Sequence, residues 1–303
     1  MTVLDIRPEI ADQLARGGGV VALESTVIAH GLPAPHNIDI ALGMEAAVRQ
    51  AGAVPATIAV LEGRFVIGLS QAEIRALAEA PKGAVRKASR RDLAIATGLG
   101  GVAATTVSAT MIGARLAGIS VFATGGIGGV HRGAPFDISA DLTELGRTPV
   151  AVICSGPKAI LDIPATREVL ETQGVPVIGY GTGDLPAFYS PTTGFAADAR
   201  VDTATEAANL ILAQRELGLQ SGLLFGVPVP GATAVDAGKM EIAIVRATNE
   251  AHAAGIAGHQ TTPFVLARVA ELTDNASLRA NMALLLNNAR VAGEIASALA
   301  GGN

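Results

Sequence analysis

A few charged residues stand in apolar surroundings where chemistry would explain them better than solvation does. Lys158 lies in PVAVICSGPKAILD (149–162), after an apolar, β-branched run and before an apolar stretch from Ala159 that reads as a helix. Ser155-Gly156-Pro157 reads as the turn between them. A lysine at a strand end and helix start faces the positive end of the helix dipole and loses solvent, and both effects disfavour the ammonium. A neutral amine at that place can attack a carbonyl-like carbon and form a Schiff base, which suits a sugar phosphate or another masked aldehyde. The bland alternative is a side chain that snorkels to water. Glu24 closes VVALE (20–24), with no partner nearby in sequence. It reads either as a surface acid or as a desolvated carboxyl tuned for proton transfer.

Asp137 and Asp141 stand four residues apart in FDISADL. On a helix they would share one face and suit a hard cation such as Mg²⁺ or Mn²⁺. Two aspartates at a helix N-terminus are the alternative. RKASRRDLA (86–94) holds Arg86, Lys87, Arg90 and Arg91, which read as a phosphate clamp or as a solvated turn. His131-Arg132, just after a glycine cluster, would add to such a clamp.

The elements that must position these residues alternate. Short apolar strands are expected at 20–24, 119–123, 150–154, 175–179 and near 222–230. Helices are expected at 38–50, from 159, and from Thr203 to about Leu217, with two or three more closing the chain. TIAVLEGRFVIGL reads as a hairpin around Glu62-Gly63. Ser70 with Glu73, and Thr203 with Glu206, form capping boxes. Glycine clusters at 97–101, 124–129 and 179–184 follow strand-like runs and would cradle an anion at one sheet edge, or simply turn the chain. This pattern predicts an α/β fold, a three-layer α/β/α arrangement with a central mixed, mostly parallel sheet, as a single domain over 1–303.

Composition excludes several classes. The chain has 303 residues, a net charge of −5 and no basic run, which argues against nucleic acid. Half the residues are apolar and 16% are charged, as a deeply buried core requires. Residues 93–114 carry no charge, yet Gly98, Gly100, Gly101 and several threonines argue against a membrane span. Cys154 is the single cysteine, so no internal disulfide forms, and the start lacks a secretion signal; a cytoplasmic protein is expected. There is no GxGxxG fingerprint with a distal acid, no Walker pattern and no HExxH, which disfavours a nicotinamide cofactor, ATP and zinc. On residues alone, a Schiff-base aldolase and a silent sugar-phosphate binder both remain open.

Ordered strings along almost the whole chain narrow this. ALESTVIAHGLPAPHN (22–37), KASRRDLA (87–94), GGVAATTVSATM (100–111), VFATGGIGGVHRG (121–133), FDISADL (136–142), CSGPKAILD (154–162), VPVIGYGT (175–182) and ANMALLLNNARVAGEIA (280–296) resemble the pseudouridine-5′-phosphate glycosidases, the family that includes indigoidine synthase A. The resemblance implies reversible cleavage of pseudouridine 5′-phosphate to uracil and ribose 5-phosphate. It implies Glu24 as proton donor, Lys158 as nucleophile and Asp137 as ligand to Mn²⁺, with Mg²⁺ as the alternative. Substrate contacts fall on Lys87, Val107, Ser139, Ala140 and Asp141, and by motif on Thr124, His131 and Asn281. The family pattern also implies a homotrimer. Only Ala134-Pro135 separate HRG from FDIS, a shorter segment than the family often has, which would shift His131.

Overall fold

The computed structural model describes residues 3–81, 83–256 and 261–302. In chain order the first half forms β1 (Leu4–Ile6), α1 (Pro8–Ala15), β2 (Val20–Leu23), a π-turn (Val27–Gly31), α2 (His36–Gln50), β3 (Val54–Leu61), β4 (Arg64–Ile67), α3 (Gln71–Glu79), β5 (Arg86–Ala88), α4 (Arg90–Gly98), β6 (Ala103–Thr105), α5 (Val107–Ala117), β7 (Val121–Ala123), β8 (Val130–His131), β9 (Ala134–Ile138) and α6 (Ala140–Leu145). Then follow β10 (Ala151–Cys154), β11 (Leu161–Asp162), α7 (Ile163–Thr172), β12 (Val177–Tyr180), β13 (Ala199–Val201), α8 (Ala204–Glu216), β14 (Leu223–Gly226), a 3-10 turn (Gly231–Thr233), α9 (Ala237–Ala253), α10 (Thr261–Leu272) and α11 (Ala276–Gly301).

The main sheet runs β1-β4-β3-β2-β7-β10-β14-β12-β13, with β6 joining β3 to β5. β3 pairs antiparallel with β4 and β6, and the other pairs in this sheet are parallel. The mixed, mostly parallel sheet expected from the alternating pattern is therefore present. Its central strands are buried on both faces, so they read as continuous apolar runs rather than alternating ones. Val21, Leu23, Val121, Ala123, Ala151 and Ile153 pack toward α2 and α11. Val20, Ala22, Phe122 and Val152 share the opposite core with residues of α5. One strand thus feeds two cores, and helices cover both faces.

The hairpin forms at Glu62-Gly63, both with positive φ, as a two-residue turn between antiparallel strands requires. Both expected capping boxes form, at Ser70–Glu73 and Thr203–Glu206. The uncharged stretch 93–114 is divided among α4, β6 and α5. Among the described residues, no helix is long and apolar enough to cross a membrane.

Two local expectations fail, and one feature goes unforeseen. The helix expected from Ala159 starts at Ile163, capped by the Asp162 side chain on Ala165 N at 3.0 Å. Pro164 is at home only in the first turn, and that fixes the start. Residues 97–101 end helix α4 rather than a strand, so this glycine cluster is a helix-stop turn. The sequence also gave no sign of the three-stranded sheet β11-β8-β9, whose strands are only two to five residues long.

The register of β2, β7 and β10 decides what lies together. Leu23 pairs with Ala123, and Ala123 with Ile153. One step further stand Glu24 and Thr124, just past the ends of β2 and β7, and Cys154, the last residue of β10. Gly156, two residues on, has φ +85°, and a Cβ there would stand 2.2 Å from Pro186 O. Gly156→Ala is therefore expected to destabilise the protein by about 1–3 kcal/mol through backbone strain and overpacking. A urea midpoint unchanged from wild type would contradict this.

Candidate active site

Glu24 is the first residue beyond β2 and is only 7% exposed. Its two carboxylate oxygens each accept a hydroxyl: Thr124, leaving β7, donates to Oε1, and Thr26 donates to Oε2. Ser25 between them fixes the backbone. Its hydroxyl donates to Ile58 O at 2.6 Å and accepts from Thr105 N at 2.9 Å. The string Glu-Ser-Thr thus carries an acid, a pin into β3 and β6, and a donor to the acid. A buried carboxylate needs such partners, because its desolvation is otherwise unrepaid.

Lys158 sits in the loop after β10, half-buried. Since α7 begins at Ile163, the helix-dipole part of the sequence argument does not apply to it. The loop is zipped to the glycine cluster 124–129 by backbone hydrogen bonds. Ser155 N donates to Gly125 O at 2.9 Å, Ile127 N to Gly156 O at 3.2 Å, and Lys158 N to Ile127 O at 3.0 Å. Two further side chains tie the loops down. Asn288, fully buried on α11, donates to Thr124 O at 2.8 Å and accepts from Ser155 Oγ at 3.3 Å. Arg132 donates to Ala159 O and Leu161 O, each at 3.0 Å, and pairs with Glu241 of α9 at 2.5 Å.

Lys87 comes from β5 and is half-buried. Burial pushes its ammonium below the usual lysine range, and the charge of Lys158 lowers it further. The carboxylates of Asp141 and Glu24 pull the other way. Lys87, Lys158, Asp141 and Glu24 therefore share one electrostatic neighbourhood, although they lie far apart in sequence. Asp141 is buried and accepts from Ser108 N at 3.0 Å and Gly128 N at 2.9 Å. It joins the N-terminus of α5, where Val107 is the first residue, to the glycine loop. Ser139 caps α6, its hydroxyl accepting from Asp141 N at 3.2 Å. Asp141 thus ties the starts of α5 and α6 together, and its charge reaches Lys87.

The four-residue clamp does not form as expected. Arg90 makes a two-pronged pair with buried Glu144 at 2.6 and 2.7 Å, Arg86 lies 3.5 Å from Asp92, and Arg91 is exposed. Arg132 is likewise engaged by the Lys158 loop and Glu241. Lys87, by contrast, lies within the field of Glu24 and Lys158. Asp137 and Asp141 do not share a helical face, because Asp137 is on β9 and Asp141 on α6. Asp137 is exposed, as is Ala140, and among the described residues no three His, Cys, Asp or Glu side chains gather as a metal cage. His131 is in β8, paired with Leu161 of β11 just beyond the Lys158 loop. Asn281 lies early in α11 and makes no hydrogen bond to the cluster among the described residues. Sequence reading missed Thr26, Ser25 and Asn288. The first two follow Glu24 directly, which was the available signal, whereas nothing local marks Asn288.

Fold and site together define an α/β enzyme with a buried acid and a lysine amine at the carboxyl edge of its central strands. Residues 9–298 match the family of indigoidine synthase A-like proteins, and the chain belongs to that family. It is 53% identical to the pseudouridine-5′-phosphate glycosidase of Hahella chejuensis, over 97% of each chain. It is 54% identical to that of Jannaschia sp., over 98% of each. Among solved structures, the prealnumycin C-glycosynthase AlnA in complex with ribulose 5-phosphate superimposes with a TM-score of 0.91 at 38% identity, covering 100% of this chain and 98% of that one. An indigoidine synthase A-like protein from Thermotoga maritima gives 0.90 at 34% identity, covering 99% and 97%.

The Arg132 contacts make a prediction. Arg132→Ala removes both carbonyl contacts and should loosen the Lys158 loop by roughly 1 kcal/mol, read as faster amide exchange at Lys158 and Leu161. Unchanged exchange there would mean that Arg132 does not hold the loop.

Proposed function

We propose that the protein reversibly cleaves the carbon–carbon glycosidic bond of pseudouridine 5′-phosphate, giving uracil and ribose 5-phosphate through a lysine Schiff base. The single observation that carries this reading is the shared field of Lys87, Lys158, Glu24 and Asp141. It brings an amine, an acid and a second lysine into one electrostatic neighbourhood, the set that a sugar-phosphate imine reaction would use. Near-full-length relatives at 53–54% identity bear the glycosidase name.

The chemistry follows from the bond. Uracil joined through carbon cannot leave as a nitrogen anion, so the ribose ring opens first, with acid assistance at the ring oxygen. The uracil ring then conjugates with the anomeric carbon, which accepts the Lys158 amine. Glu24, directly or through water, protonates the uracil carbon as the carbon–carbon bond breaks. The sugar stays on Lys158 as an imine, and water releases ribose 5-phosphate. Lys87 and the starts of α5 and α6, at Val107, Ser139 and Ala140, hold the phosphate. Thr124 acts by holding Glu24, while His131 and Asn281 line the pocket.

The donor set fits a hydrated divalent ion rather than a caged one, because Asp137 offers an exposed carboxylate without a cluster around it. A phosphate brings a charge of about −2 that a divalent cation would offset. Asp137 would hold Mn²⁺, or Mg²⁺ in its place, and the ion would supply charge stabilisation. The active form is a homotrimer, in keeping with the family pattern. Cytoplasmic placement is favoured by the single, buried Cys154, whose thiol burial pushes up to about 12 and leaves inert. Joining a different heterocycle to a pentose phosphate is the second reading, favoured by the likeness to AlnA; the lower identity to it, 38%, ranks it second.

With Mn²⁺ and pseudouridine 5′-phosphate, uracil should appear, and Lys158→Ala should slow its release roughly a thousandfold or more while the protein stays folded. Turnover by Lys158→Ala near the wild-type rate would rule out the covalent scheme. Titration gives a second check. Ribose 5-phosphate binds the Lys87 ammonium, so its affinity should fall as pH rises, at a pH below the 10.5 of an ordinary lysine. Lys87→Arg, which keeps its charge throughout, should flatten that fall in calorimetry. The same fall in Lys87→Arg would assign the titration to another group.

A further inference from the structure

We propose that Thr26 is a positioning residue for the reaction, its hydroxyl setting the one orientation from which Glu24 moves a proton. The inference rests on the reading of Glu24 as proton donor. Thr26 donates to Glu24 Oε2 while Thr124 donates to Oε1, and both hydroxyls are buried. A carboxyl gripped at one oxygen can still rotate about its terminal bond, whereas one gripped at both cannot. The two grips come from different strands: Thr124 leaves β7, and Thr26 lies two residues beyond Glu24 itself. Thr26 is placed by what surrounds it. Ser25 anchors the chain to Ile58 and Thr105, and Ile28 N and Ala29 N both donate to Ser25 O, at 3.0 and 3.2 Å. This winds the chain into the π-turn Val27–Gly31, an uncommon geometry that recurs at functional sites. The turn holds Thr26 in a helical backbone conformation, φ −64° and ψ −28°, from which its hydroxyl reaches back to the acid.

Thr26 touches no reacting atom in this scheme. Its loss should therefore reach turnover without reaching phosphate binding, which belongs to Lys87 and the starts of α5 and α6. Thr26→Val keeps the shape and removes the donor; Thr26→Ser keeps the donor and loses a methyl.

The test compares steady-state uracil release by wild type, Thr26→Val, Thr26→Ser and Glu24→Gln, with borohydride trapping of ribose 5-phosphate on Lys158 as a second readout. Thr26→Val should lower kcat by about tenfold to a hundredfold with KM within about twofold, as a displaced catalytic group does. Thr26→Ser should recover most of that loss, and trapping on Lys158 should match wild type in both variants. A kcat for Thr26→Val within about twofold of wild type, while Glu24→Gln is inactive, would overturn the role of Thr26 and leave that of Glu24 standing. A loss in Thr26→Ser as large as that in Thr26→Val would also overturn it, since the retained hydroxyl would then not restore turnover. Wild-type turnover by Glu24→Gln would defeat the underlying reading instead. If Thr26→Val does not fold, Thr26→Ala takes its place, and a kcat for Thr26→Ala within about twofold of wild type would overturn the role of Thr26 in the same way.

Discussion

The parallel register of β2, β7 and β10 is the constraint on which the site depends. Because Leu23 faces Ala123 and Ala123 faces Ile153, three chain segments leave the sheet at one level. Their next residues supply Glu24, the Thr124 hydroxyl that grips it, and the loop that carries Lys158. A slip of one residue in any of these strands would turn its apolar side chains to the wrong core and move its loop out of step. The two-core burial that selects the register is therefore also what assembles the chemistry.

Polar groups at this edge are buried, so each must be answered by another. Glu24 takes two hydroxyls, Asp141 takes two backbone amides, and Asn288 reaches the Thr124 carbonyl and the Ser155 hydroxyl. Arg132 does the same for the carbonyls beyond Lys158 and continues to Glu241 of α9. Few of these groups touch a reacting centre. They make Glu24, Lys158 and Lys87 a fixed constellation, and a preorganised charge arrangement is worth most where water is excluded. The lowered lysine in this field is Lys87, pushed down by burial and by its neighbour Lys158. Its charge is easiest to keep when a phosphate is present to answer it.

Much of this could be read from the chain. Apolar runs such as VVAL announced doubly buried strands, and Glu62-Gly63 announced its hairpin. Glu24 and Lys158 stand out because charge is scarce and each sits beside apolar sequence, whereas Lys87 is one of four basic residues in 86–94. What could not be read is whatever depends on distant partners. Arg90 and Arg132 look like phosphate ligands until Glu144 and Glu241 are seen opposite them. Asp137 and Asp141 have helical spacing, yet a strand end falls between them. Lys158 reads as a helix start because Ala159 onward is apolar, whereas the β11 pairing with β8 holds Leu161 and Asp162 extended and delays the helix to Ile163. Asn288 has no local mark at all, since its role arises only where α11 crosses the ends of β7 and β10.

The claim at the centre is that one pocket holds the pentose by its carbonyl carbon at Lys158 and by its phosphate at Lys87. A crystal structure of the protein soaked with ribose 5-phosphate tests it most directly. The account predicts continuous density from Lys158 Nζ to the sugar, with the phosphate beside Lys87 and the Glu24 carboxyl facing the bonded carbon. A sugar bound elsewhere, or one in the pocket with its phosphate turned away from Lys87 and no bond to Lys158, would contradict it.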